Sequence, residues 1–201
     1  MKRQMISRSK APIVVFDDAD LTSAVNGVAF ASFIASGQTC VSGTRIIIQD
    51  KIFDQFIARF LEKIASIAQR MGDRTFFNLA SRASNRRYFI SALNPRSAMG
   101  SVISLRHLER IESMLQRRGN SKILAGGTRL IGKSVLDGFD FSKGCFFPPT
   151  VIADVNVEDE LWQEEIFGPV VVVKRFSVSS SYLKSMLTPS FFMWSSLTGR
   201  V

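Results

Sequence analysis

The chain of 201 residues is long enough for one domain with a substantial core, and its 46% hydrophobic and 21% charged residues exclude disorder and coiled coil. No window reaches the roughly 18 to 20 uninterrupted apolar residues of a membrane-spanning helix, so we expect no membrane partner. Two cysteines, Cys40 and Cys145, do not make a disulfide framework, which favours a reducing compartment and a cytoplasmic location.

The formal net charge of +9 comes from three segments. Residues 1–10, 74–96 and 177–201 hold eleven of the 26 lysines and arginines and no acidic residue, so the remainder has 15 basic and 17 acidic residues. Because most of the chain is not basic, we expect no nucleic-acid partner. The same segments lack strand alternation and a helical stripe, and we interpret them as a featureless start, an insertion and an exposed or ill-fitting tail.

The first predicted unit is a strand followed by a helix. Residues 13–16 are continuously apolar, which is typical of a buried strand. Asp20 then caps a predicted helix that begins at Leu21 and ends at Ser36 and Gly37, where the glycine serves as the C-terminal cap.

The next unit repeats this order. Residues 46–48 are β-branched and predict a second strand. Asp50 is expected to cap a long amphipathic helix that ends at Gly72. Its apolar side chains form one stripe: Phe53, Phe56, Ile57, Phe60, Leu61, Ile64, Ile67 and Met71.

Beyond the insertion, residues 104–118 predict a second amphipathic helix, with Gly119 at its end. Its inward side chains are expected to be Leu105, Leu108, Ile111 and Leu115. Residues 122–125, 151–152 and 170–173 predict further strands, and the last two look buried on both faces, as in a parallel sheet. The fold class is therefore α/β, a mostly parallel sheet flanked by helices.

Cys40 is the first candidate for chemistry. Residues 36–40 place its thiol on a sharp loop where backbone N–H groups can converge, so a thiolate could attack a carbonyl. The alternative is an inert, small apolar side chain. His107 is expected at a helix surface and Cys145 in a structural role, and no residue set has metal-ligand spacing, so no metal is expected.

Residues 162–169 form the second candidate, an acidic and aromatic turn that leads into the strand at 170–173. A carboxylate there can accept hydrogen bonds from ribose hydroxyls, and a phenyl ring can lie against a flat cofactor ring. The alternative is a capping carboxylate beside a core phenylalanine.

Three stretches, residues 12–21, 36–40 and 164–169 in this order, together resemble the aldehyde dehydrogenase superfamily. Shorter stretches resemble that family's connecting segments, namely 99–104, 124–127 and 147–151. The resemblance implies an NAD(P)-dependent oxidoreductase that converts an aldehyde into a carboxylic acid.

The resemblance covers residues 10–176, a partial catalytic domain interrupted by a non-family insertion at 75–96. Residues 1–9 are a non-family N-terminal segment, and residues 177–201 are a non-family tail. In the family, the dinucleotide-binding domain mostly precedes this region, so the resemblance implies a truncated chain. The three segments that depart from the family hold nearly all of the excess positive charge. We therefore hypothesise a truncated or mis-spliced gene model in which non-coding sequence is translated at three places.

The resemblance also implies roles for individual residues. Cys40 matches the nucleophile, whose thiolate adds to the aldehyde; the thiohemiacetal passes a hydride to the nicotinamide, and water cleaves the thioester. Glu165 matches the residue that holds the nicotinamide ribose, and Phe167 matches the residue beside the nicotinamide ring.

The catalytic base departs from the family pattern. Lys10 fits the family's lysine ahead of the first strand, but Ile6 stands where the glutamate base would fall. The upstream side-chain donor to the oxyanion is also missing, which leaves the backbone N–H of Cys40. We therefore expect the chain alone to be poorly active or inactive. The open alternatives are a non-catalytic fragment that associates with a full-length dehydrogenase, thioester chemistry at Cys40 without a cofactor, and a homo-oligomer.

Overall fold

The computed structural model describes residues 11–71, 97–136 and 138–177 and the backbone of residues 195–197. Its strands are β1 (Ala11–Val15), β2 (Gly43–Gln49), β3 (Lys122–Ala125), β4 (Thr150–Ala153), β5 (Val170–Phe176) and β6 (Ser195–Leu197). They form one sheet in the order β3-β4-β5-β2-β1-β6, in which β3 runs antiparallel to β4 and the other neighbours are parallel. The predicted α/β class with a mostly parallel sheet is confirmed.

Helices cover both faces of this sheet. They are α1 (Leu21–Phe33), α2 (Asp50–Gln69), α3 (Leu105–Gln116) and the short α4 (Glu160–Gln163). Alternate residues of β2 point to opposite faces, so Ile46 packs in the apolar cluster of α1 and α2, whereas Ile47 packs in that of α3 and α4. Both residues are completely buried, which makes β2 the centre of a three-layer core.

Helix α1 begins as predicted but ends earlier. The carboxylate of Asp20 accepts a hydrogen bond from the backbone N–H of Ser23 at 2.7 Å, which confirms the N-cap. The helix ends at Phe33, because Ala35 and Ser36 have φ values of 50° and 57° that a right-handed helix does not tolerate. A 3₁₀ turn over Ile34–Gly37 follows instead of the predicted glycine cap.

Three details of the other helices differ from prediction. Asp50 is the first residue of α2 and Gln49 is its N-cap, with no side-chain hydrogen bond at the cap. The predicted end at Gly72 lies outside the described residues, and α2 ends at Gln69. The inward position predicted for Leu105 is wrong: it is 52% exposed, since the buried stripe of α3 runs through Leu108, Ile111, Met114 and Leu115 and leaves the first turn outside the core.

The segments set apart by charge fall mainly outside the described residues. The N-terminal segment 1–9 and the insertion 75–96 lie there entirely, and their boundaries stay predictions. Within the predicted tail 177–201, the backbone of Ser195–Leu197 pairs in parallel with β1, a strand that the sequence analysis did not predict. In the described part of the chain, no helix has the length and apolarity required to cross a membrane.

Replacing Asp20 by alanine should lower the midpoint of urea unfolding at neutral pH. The hydrogen bonds of Ser23 hold the pKa of the Asp20 carboxyl below its ordinary value of 3.8. A lowered folded-state pKa stabilises the fold above pH 3.8, and this contribution disappears as the pH falls through the folded-state pKa. The difference between wild type and Asp20→Ala should therefore vanish in acid. The exposed Asp18 of the same turn is the matched control, and an equal loss for Asp18→Ala would contradict the capping role.

Candidate functional site

Two loops meet at the end of the sheet where strands β2 and β5 begin. The cysteine loop (residues 34–42) leads into β2, and the acidic turn (residues 164–169) leads into β5. Strands β2 and β5 are parallel neighbours, with Arg45 opposite Val172. Because the amino ends of adjacent parallel strands lie at the same edge, the strand order brings the two predicted motifs together.

The two loops touch through glycine backbone. A Cβ atom on Gly37 would lie 2.2 Å from the carbonyl oxygen of Gly168 and 3.1 Å from the nitrogen of Pro169. Gly37 also has a φ of 69°, a conformation that L-residues rarely adopt. Only glycine therefore allows this close approach of the cysteine loop to the acidic turn.

The cysteine loop is anchored on the segment ahead of α3. The hydroxyl of Ser36 donates to the carbonyl of Gly100 at 3.1 Å. The side-chain oxygen of Gln38 accepts from the backbone N–H of Ile103 at 2.8 Å. Cys40 follows on a turn and is exposed, so a small molecule in solution can reach its thiol.

Backbone strain is concentrated in these loops. Of the four non-glycine residues with positive φ in the described ranges, Ala35 and Ser36 belong to the cysteine loop and Phe167 to the acidic turn. Each left-handed L-residue costs about 1–2 kcal/mol. Strain of this kind persists where the surroundings fix the backbone, and it clusters at functional sites.

The acidic turn leaves the side chains that the sequence singled out partly accessible. Glu165 and Phe167 are half-buried, whereas Ile166 between them is only 2% exposed and packs in the core with α3. The phenylalanine of the turn is therefore not its core residue. A carboxylate and a phenyl ring at the surface suit a ribose and a flat ring, so Glu165 and Phe167 are the described residues that could hold a nicotinamide nucleotide.

Sequence reasoning missed two residues of the site. His107, expected at a helix surface, is half-buried, and its Nε2 lies 2.5 Å from the carbonyl oxygen of Phe167, a contact that the sequence did not predict. Arg110 donates to the carbonyls of Ile166 and Glu165, both at 2.7 Å. Their spacing of three residues indicates one face of α3, but nothing in the sequence indicates a partner more than 50 residues away.

Three further observations concern the surroundings of the site. Cys145 is half-buried beside the apolar cluster of α3 and α4. An open cavity of about 510 Å³ next to the cysteine loop is lined by residues including Phe30, Ile34 and Ser36, but not by Cys40 or the acidic turn. Nowhere in residues 11–71, 97–136 and 138–177 do three His, Cys, Asp or Glu side chains gather where they could hold a metal ion.

Known proteins resemble this chain along most of its length. A sequence profile described as the Aldehyde dehydrogenase family matches residues 4–186. Betaine aldehyde dehydrogenase from Cereibacter sphaeroides is 33% identical over 176 residues, which are 87% of this chain and 30% of that protein. Betaine aldehyde dehydrogenase from Brucella ovis is 36% identical over 170 residues, 84% of this chain and 30% of that protein.

Solved structures give the same result. Betaine aldehyde dehydrogenase from Staphylococcus aureus in complex with NAD⁺ has a TM-score of 0.71 and 28% identity, covering 90% of this chain and 31% of that one. HpcC from Thermus thermophilus has a TM-score of 0.73 and 30% identity, covering 89% and 31%. The chain spans about 30% of the length of the curated relatives that it matches. By the profile match over nearly its whole length, the chain belongs to the aldehyde dehydrogenase family.

Proposed function

We propose that the chain carries the thiol-bearing part of an NAD(P)-dependent aldehyde dehydrogenase of the cytoplasm. The contact between Gly37 and Gly168 is the observation that supports this most directly. It joins the loop of an exposed thiol to the turn that presents Glu165 and Phe167. A nucleophile and a site for a hydride acceptor must be neighbours for aldehyde oxidation, and this contact makes the two motifs neighbours.

Cys40 is the proposed nucleophile. Its thiolate adds to the aldehyde carbon, and the backbone N–H of Cys40 donates to the oxyanion that forms. NAD or NADP, when bound, supplies the acceptor for the hydride that leaves this carbon. The thioester that remains on Cys40 is cleaved by water, which releases the carboxylic acid and restores the thiol. Glu165 would hold the ribose of this cofactor, and Phe167 would lie beside its nicotinamide ring.

We further propose that the chain alone turns over slowly. Ile6 stands at the position of the expected carboxylate base, and a hydrocarbon side chain cannot take a proton from the attacking water. A positioned general base typically contributes about 10²- to 10⁴-fold to the rate. Hydrolysis of the Cys40 thioester is therefore the step that we expect to be slow.

Alkylation of Cys40 by iodoacetamide, followed by mass spectrometry of its peptide, tests the proposed function. Nicotinamide mononucleotide, which has the ring and its ribose but not the adenosine half, should slow labelling of Cys40 severalfold. The Phe167→Ala variant should lose this protection, and labelling of Cys145 should not respond. Identical rates of Cys40 labelling with and without the nucleotide would contradict the proposed function. Rapid formation of NADH or NADPH from an aldehyde would contradict the proposed slow turnover.

A specific observation favours a second candidate, a non-catalytic chain that binds a full-length aldehyde dehydrogenase or a second copy of itself. Of the seven exposed large apolar side chains in the described ranges, five lie beside or within the segments that build the site: Phe30, Ile34, Val41, Ile103 and Leu105. Clustered apolar exposure is typical of a surface that another protein covers. Formation of a complex with a purified full-length relative in size-exclusion chromatography, without nucleotide protection of Cys40, would favour this candidate.

A further inference from the structure

One face of helix α3 packs along the acidic turn. His107, Arg110 and Ile111 are three and four residues apart, so they project from the same side of the helix. A Cβ atom on Gly168 would lie 2.5 Å from Cδ1 of Ile111, which places this isoleucine directly against the turn. The face thus combines one apolar contact with two polar side chains.

The two polar side chains bind three successive carbonyls. Arg110 donates to the carbonyls of Glu165 and Ile166 at 2.7 Å each, and His107 lies 2.5 Å from the next one, that of Phe167. A carbonyl oxygen only accepts hydrogen bonds, so Nε2 of His107 must carry the proton. Three consecutive peptide groups fixed from one rigid helix leave the turn little rotational freedom.

The backbone conformation of Phe167 depends on these hydrogen bonds more than that of its neighbours does. Its φ of 56° is unfavourable for a bulky L-residue, and such a conformation persists only where contacts fix it. The ring of His107 also lies edge-on to the ring of Phe167, with centroids 6.3 Å apart. Ahead of the turn, Arg117, the C-cap residue of α3, makes a bidentate ion pair with Glu160 of α4.

We propose that His107 and Arg110 are positioning residues that hold Phe167 and Glu165 in the orientation that receives the nicotinamide ring and its ribose. His107 acts on the ring through the carbonyl of Phe167, and Arg110 acts on the carboxylate through the backbone of Glu165. That this orientation serves nucleotide binding rests on the proposed function. The hydrogen bonds themselves can be tested independently of that function.

Selective labelling makes the hydrogen bonds observable in the full chain. Phe167–Gly168 is the only Phe-Gly pair in the sequence and Glu165–Ile166 the only Glu-Ile pair, so ¹³C-carbonyl and ¹⁵N-amide labels give one NMR signal for each. In His107→Ala the Phe167 carbonyl signal should move upfield and the Glu165 signal should stay. Arg110→Ala should show the reverse pattern. His107→Gln, which keeps an N–H donor, should restore much of the Phe167 shift.

An unchanged Phe167 carbonyl in His107→Ala would overturn the proposal. The wild type gives an independent decision, because His107 is the only histidine of the chain and its ¹⁵N shifts report which ring nitrogen carries the proton. A neutral ring protonated on Nδ1 alone would also overturn it.

Titration with nicotinamide mononucleotide separates this proposal from the proposed function. If the nucleotide moves the Gly168 amide signal, His107→Ala should weaken its binding about fivefold and His107→Gln should recover it. Equal affinity in all three chains would overturn the positioning role. If the nucleotide moves no signal in the wild type, the proposed function fails, and the carbonyl shifts alone decide whether His107 and Arg110 fix the turn.

Discussion

The Cys40→Ala variant should form no covalent adduct with an aldehyde, whereas the wild type should form one. Addition to a carbonyl requires a sulfur lone pair at the site, and alanine offers none. The measurement is ¹³C NMR of an aldehyde labelled at its carbonyl carbon, because addition of the thiol converts this carbon from trigonal to tetrahedral. The hydrate of the free aldehyde also has a tetrahedral carbon, so the expected result is loss of the protein-bound thiohemiacetal signal in the variant.

The second cysteine provides the matched control. Cys145 is half-buried against apolar side chains, so Cys145→Ala should keep the adduct. Because Cys40 is exposed, its replacement should leave the midpoint of urea unfolding unchanged, which separates loss of chemistry from loss of fold. An adduct that survives in Cys40→Ala but not in Cys145→Ala would contradict the assignment. Ester hydrolysis that depends on Cys40 but not on a nucleotide would instead favour thioester chemistry without a cofactor.

The local elements of the fold could be predicted because their signals are local. The apolar stripe of α2 repeats every three to four residues, and its predicted members Phe56, Phe60 and Ile64 are buried. Asp20 caps α1 because its carboxylate reaches an N–H three residues ahead, which a spacing rule captures. Such patterns predict where helices and strands begin, but they do not predict how these elements pack against each other.

The arrangement of the site could not be predicted in the same way. That β2 and β5 are neighbours follows from pairing between residues more than 120 positions apart, and only the whole packing decides it. Positive φ at Ala35 and Ser36 runs against the preference of both residue types. The partners of His107 and Arg110 are backbone carbonyls, and carbonyls leave no trace in a sequence.

The residue pattern pointed to the cysteine loop and the acidic turn, but the roles of Cys40, Glu165 and Phe167 came from resemblance. Spacing alone gave Cys40 two interpretations, a nucleophile or an inert side chain. The structure adds physical observations that bear on this choice: an exposed thiol, a strained loop and direct contact with the acidic turn. The contact at Gly37 is the one on which the site depends most, and it can be tested without any ligand.

Replacing Gly37 by alanine should lower the free energy of unfolding by about 2–5 kcal/mol. A left-handed alanine costs about 1–2 kcal/mol, and a methyl group forced against packed atoms typically costs a further 1–3 kcal/mol. The obstructing atoms are the carbonyl oxygen of Gly168 at 2.2 Å and the nitrogen of Pro169 at 3.1 Å, both of them backbone that cannot rotate away. Urea unfolding followed by circular dichroism gives the free energy.

The matched control for this change is Gly27→Ala in the middle of α1. A Cβ atom on Gly27 would meet nothing within 4 Å, so alanine there should raise the free energy of unfolding by about 0.5–1 kcal/mol through its helix propensity. Gly37→Ala should also remove nucleotide protection of Cys40 in whatever fraction remains folded, because the two loops can no longer touch. A Gly37→Ala chain as stable as Gly27→Ala, with protection intact, would show that the approach of the two backbones is not what builds the site.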